Sequence, residues 1–188
     1  MVAGIMMLAP SCKEKKQSND IIATKYVPKK LQGPISMPVD VRTNDVAWMG
    51  KNYHVSITRM AVDSLPMVKD DIGQQYVDNK ITLSIMRSDS TLFMKKVFTK
   101  ASFASYLDEN YRKKAVLGSM IFNEVDGSEL EFAVTVSLPD SEDEFIPLQL
   151  TVNSQGGISI ERDTDLDTSG IDNDSASRND DDTDRDDD

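Results

Sequence analysis

Between residues 39 and 162 apolar and polar side chains mostly alternate with a period of two, the signature of half-buried strands. Residues 39–42 alternate in this way, starting at Val39. Residues 53–62 follow Gly50 and read as a long strand with Val55, Ile57 and Ala61 on one face. Residues 80–87 turn Ile81, Leu83 and Ile85 inward; Ser88, Asp89 and Ser90 form a turn, and residues 92–98 return as the second arm of a hairpin. Residues 116–125 and 129–138 flank Asp126-Gly127, a strong hairpin signal. In the second of these, Leu130, Phe132, Val134, Val136 and Leu138 share a face, while Glu129, Glu131, Thr135 and Ser137 share the other. One face is therefore solvated, as in an antiparallel sheet. Ile146, Leu148, Leu150 and Val152 line the next strand, and residues 158–160 form a short last one.

The period changes once. Thr99 can serve as an N-cap, and Phe103, Leu107 and Tyr111 then recur every four residues. Arg112, Lys113 and Lys114 follow, where cations favour the end of a helix dipole. The spacing predicts one amphipathic helix over about 100–114. Strands, one helix, then strands give an α+β fold: mainly antiparallel β, as a curved sheet, a small sandwich or an open barrel, with one amphipathic helix over a face or an end.

The ends depart from this pattern. Residues 1–9 are almost wholly apolar and run through Pro10 and Ser11 into the single cysteine, Cys12, followed by Lys13, Glu14, Lys15 and Lys16. That apolar run has the logic of a secretory signal and is too short to span a bilayer, which needs about 20 residues. A cysteine at the switch from apolar to polar is the lipid-attachment position of a bacterial lipoprotein signal, so residues 1–12 read as that segment and Cys12 as the anchor. The usual basic n-region is missing, which leaves a start upstream of Met1 open. Residues 13–38 carry Pro28, Pro34 and Pro38 and read as a linker. The domain then spans 39–162. Residues 163–188 contain aspartate, serine, threonine and asparagine with almost nothing to bury, and read as a disordered acidic tail.

Charge follows the same division. The net charge is −11, and the 12 aspartates and 2 arginines of residues 163–188 supply all but one unit of it. The domain is near neutral, which speaks against nucleic acid as a partner, since phosphate binding needs clustered Lys and Arg. The basic run Lys95, Lys96 and Lys100 could meet an acidic partner, or simply be a solvated edge.

Candidate chemistry is sparse. His54 is the one histidine and lies on the strand face opposite Val55 and Ile57; no G-x-S-x-G elbow accompanies it. One histidine and one cysteine do not make a zinc site. No G-x-G-x-x-G or Walker pattern marks a nucleotide or other cofactor. Glu129 and Glu131 lie about 7 Å apart along one strand face, and Asp70-Asp71 is a second acidic pair; glycosidases use paired carboxylates, but a solvated face is the commoner reading, since 6% aromatics is thin for a sugar cleft. Asp163, Asp165 and Asp167 resemble the start of a calcium loop, but Thr168 stands where glycine is required and Asp174 where the bidentate glutamate would be. Trp48, Tyr53, Phe93, Phe98 and Phe103, with Tyr76 beside them, could line a pocket; aromatics in such positions more often form core.

Several short motifs resemble a family of small lipoproteins from Bacteroides-type gut bacteria. They are Ser11-Cys12, Trp48-x-Gly50 with Tyr53, Leu65-Pro66 with Asp70, Phe98-Thr99-Lys100 through Leu107-Asp108, and Phe145-x-Pro147-Leu148. The resemblance covers about residues 8–162. That family carries a domain of unknown function, so it implies a location and a fold type and no activity or functional residue. The expectation is a lipid-anchored cell-envelope protein, on the outer membrane and facing periplasm or surface, whose domain binds a protein or small-molecule ligand without catalysis. The alternatives are an envelope hydrolase acting on carbohydrate through paired carboxylates, and a purely structural envelope component.

Overall fold

A computed structural model describes residues 30–141 and 143–164. Cys12, Asp165, Asp167 and most of the acidic tail lie outside the described residues. The fold is two four-stranded antiparallel sheets packed in a sandwich-like arrangement, without a closed barrel. The first sheet has the order β1 (Asp40–Trp48), β2 (Lys51–Ala61), β5 (Asn79–Arg87), β6 (Leu92–Thr99). The second is β7 (Val116–Asp126), β8 (Glu129–Ser137), β9 (Phe145–Asn153) and β10 (Ile158–Arg162), each strand beside its predecessor in sequence. Between β2 and β5 sits a small hairpin, β3 (Val68–Lys69) with β4 (Gln75–Tyr76).

The core is the set of inward positions on both sheets. Val55, Ile81, Leu83 and Ile85 from the first meet Leu130, Phe132, Val134, Leu148 and Leu150 from the second, all fully or almost fully buried. Truncating Phe132 to alanine therefore costs about 3–5 kcal/mol. Parity, not hydropathy, decides the first strand. Val39 and Val41 are 62% and 61% exposed, whereas Val46 and Trp48 are buried. Side chains alternate strictly, so the even positions that carry Val46 and Trp48 inward force Val41 outward. Turns supply the reversals. Met49 and Gly50 close the β1–β2 hairpin with φ of 51° and 71°, the left-handed pair of a two-residue loop.

The two sheets are fastened at the start of β7 by polar groups. Asp78 Oδ1 accepts from the backbone N–H of Leu117 at 2.9 Å, and Asn79 Nδ2 donates to the Leu117 carbonyl at 2.8 Å. Arg59 Nη1 donates to the Gly118 carbonyl at 2.6 Å. Gly118 lies at a register shift of β7, and a Cβ there would stand 2.6 Å from Ser137 Oγ and 2.7 Å from Thr135 Oγ1. Glycine is what lets the strands approach so closely.

Two expectations need correction. The single helix over 100–114 is two pieces: a 3-10 helix, Lys100–Tyr106, and α1 (Glu109–Lys114). Leu107 and Asp108 between them are extended, and the Asp108 carboxylate accepts from Tyr111 N–H at 3.0 Å. An aspartate that caps a new helix cannot also be the interior of an old one. Residues 32–37, read as the end of the linker, are held against the hairpin. Ile35 forms a parallel bridge to Tyr76, donating to the Gln75 carbonyl and accepting from Val77 N–H, both at 2.9 Å. Buried Gln74 accepts from Gln32 N–H at 2.8 Å and donates to the Gly33 carbonyl at 3.0 Å.

Candidate functional site

The chain between β6 and β7 must turn across one end of the sandwich, and it does so through the two short helices. The segment before β3 runs opposite. Leu65, Pro66 and Met67 line one side of the resulting cleft, and Ala101 and Ala104 of the 3-10 turn, with Leu107 just after it, line the other. The cleft has a volume of about 310 Å³, at the small end of what ligand sites occupy. Proline at 66 and the small alanines keep it open: larger side chains on that face would fill it.

Its floor is charged. Asp78 is 4% exposed and lines the cleft beside Lys100. The Asp78 Oδ1 is taken by the N–H groups of Asn79 and Leu117. Oδ2 stands 3.7 Å from Lys100 Nζ, an ion pair too long for a hydrogen bond. Lys100 Nζ instead donates to the Ala115 carbonyl at 2.6 Å, with its side chain 15% exposed. Burial pushes the Lys100 ammonium below the usual lysine range, and Asp78 partly opposes that shift. At the rim, Arg112 donates through Nε to the Ala104 carbonyl at 2.9 Å, and Lys113 pairs with Glu109 at 2.6 Å. This arrangement can hold an apolar body and present cations to one polar end.

The residues singled out from the sequence go elsewhere. Trp48, Tyr53 and Phe93 form an edge-on cluster with ring centroids 5.1–5.7 Å apart. Phe98 and Phe103 stack at 5.9 Å in a second cluster. Trp48, Phe98 and Phe103 are buried and belong to the core, whereas Tyr53 also lines, with His54 and Asp45, a separate cleft of about 670 Å³. His54 Nδ1–H donates to Asp45 Oδ1 at 2.7 Å on the open face of the first sheet. The two residues are direct cross-strand neighbours, which explains the contact without a catalytic role.

Glu129 and Glu131 sit on the outer face of β8. Partial desolvation, and then the charges of Asp126 and Glu124, raise the Glu131 carboxyl above its ordinary value. Asp70 Oδ1 accepts from the N–H groups of Ile72 and Gln74, and Oδ2 from the Tyr76 hydroxyl; its work is to shape the β3–β4 turn. Burial and Asp70 in turn raise the Tyr76 phenol. Asp71 pairs with Lys114, and both line a polar cleft of about 150 Å³ with Asp140 and Glu144. Among the described residues no group of three or more acidic, histidine or cysteine side chains is arranged to hold a metal. Asp163 is described and donates its N–H to the Pro147 carbonyl.

Asp78 was missed in the sequence, where it reads as the polar start of a strand. Lys100 was seen only as part of a basic run; Lys95 and Lys96 are indeed exposed on the edge strand, but Lys100 turns inward. Residues 20–160 match the family model described as Domain of unknown function (DUF4738). No curated protein matches the chain.

Proposed function

The chain belongs to the family Domain of unknown function (DUF4738), and we propose that it is a non-enzymatic binding protein of the cell envelope. Cys12 carries its lipid anchor, and the cleft between the β3 approach and the 3-10 turn is its binding site. The observation that carries the binding role is the cleft itself: apolar walls over a buried acid and amine whose charged atoms stand 3.7 Å apart. Buried charge is costly, and a fold that needed only stability would gain as much from apolar residues there. The envelope location rests on the apolar run ending at Cys12. Glu129 and Glu131 give the hydrolase alternative little support, because they stand on a sheet face without walls to position a sugar.

An environment-sensitive apolar dye, titrated into the full chain, tests the site. The wild-type chain is expected to bind one dye. Ala104→Phe, which puts a ring into the cleft from a partly exposed position, is expected to abolish binding while leaving the melting temperature within a few degrees. Equal binding by both chains, or none by the wild type, would contradict the reading.

A further inference from the structure

We infer that the cleft takes a single-chain alkyl carboxylate, a fatty-acid-like anion, with its carboxylate between Lys100 and Arg112; this rests on the cleft being a binding site. The apolar part of the argument is the lining: Leu65, Pro66, Met67 and Leu107 offer no hydrogen-bonding side chain. A volume of about 310 Å³ has room for one alkyl chain and not for two.

The sign of the charge comes from what each group has left to give. Asp78 is the one acid of the lining, and one of its oxygens already receives two backbone N–H groups. Its negative charge is largely answered by those donors and by Lys100. On the other side stand Lys100, Arg112 and Lys113. Lys113 has Glu109 as its partner. Lys100 spends one of three N–H bonds on the Ala115 carbonyl. Arg112 uses only Nε, on the Ala104 carbonyl, so among the described residues both its Nη groups have no acceptor. A planar guanidinium with a free edge matches a carboxylate, and the partly desolvated Lys100 ammonium in the same lining adds a second cation. An alkyl ammonium would meet these cations as a like charge.

The test is calorimetric titration of the full chain with decanoate and decylammonium below their micelle concentrations and with decanol below its solubility limit. Decanoate is expected to bind one site about tenfold or more tighter than decylammonium, with decanol between them. Arg112→Gln, on an exposed helix face, is expected to weaken decanoate about tenfold while leaving decanol unchanged. Lys95→Met, on the exposed edge of β6, is expected to change neither, which separates the site from overall charge. Equal affinity for all three probes, or tighter binding of decylammonium, overturns the carboxylate but leaves the cleft as a site. If the dye binds and none of the three probes does, the ligand class is wrong. If the dye fails as well, the binding site falls with it. Preference for a short acidic peptide over decanoate would overturn the fatty-acid-like ligand in favour of a protein partner.

Discussion

Asp78 shows how much one residue can decide. Its carboxylate ties β5 to the first residues of β7 through Leu117, and it answers the charge of Lys100 at the cleft floor. Asp78→Ala would leave two backbone N–H groups without an acceptor and an amine without its counter-charge. We expect a loss of about 3 kcal/mol in chemical denaturation. Asp78→Asn keeps the accepting oxygen and is expected to cost less than half as much. Equal losses would mean that the backbone bonds contribute little and the charge is what counts. None of this was legible in the sequence. A carboxylate before a strand looks like a solvated turn, and its burial depends on Leu117, which lies 39 positions further along the chain. The inward residues of β5 and β8 were legible because alternation alone fixes them. The parity of β1 was not legible from residues 39–42 alone: which side faces inward is set by Val46 and Trp48, further along the same strand.

At the scale of elements, the break at Leu107-Asp108 matters most. A continuous helix would have carried Arg112 and Lys113 around a straight cylinder. The extended pair resets the direction, so that Ala104 and Arg112 face each other across the break at hydrogen-bond distance. The signal was present in the sequence, since aspartate followed by glutamate is a helix start, but the four-residue spacing of Phe103, Leu107 and Tyr111 concealed it. The docked segment 32–37 is the second such element. Gln74 is its clamp, so Gln74→Ala should speed amide exchange at Gln32 and Ile35 about tenfold, as losing roughly 1.4 kcal/mol of hydrogen bonding implies. Exchange at Ile81 and Leu83 in the sheet should be unchanged. Unchanged exchange at Ile35 would show that the bridge to β4 holds the segment without the glutamine. Proline at three positions made this stretch read as a spacer, and nothing local in it announces a partner more than 40 residues away.

At the scale of the whole molecule, the proposed anchor at Cys12 is carried on the same chain as a sandwich whose proposed binding cleft lies beside Asp78 and Lys100. The anchor has its own test. Cys12→Ala should move the protein from the membrane fraction to the soluble fraction on cell fractionation, and a variant that stays with the membrane would remove the lipoprotein reading. The edges of the first sheet are unsuited to pairing with other strands: Arg42 and Lys96 project from β1 and β6 on the core side, and both are exposed. The most direct measurement is a backbone amide NMR titration of the full chain with decanoate. Saturable shifts should concentrate at residues 65–68, 99–107 and 112–117, with the outer face of β8 and the Trp48 cluster unmoved. Shifts centred on the β8 face or on His54, or no saturable shifts at all, would contradict the account.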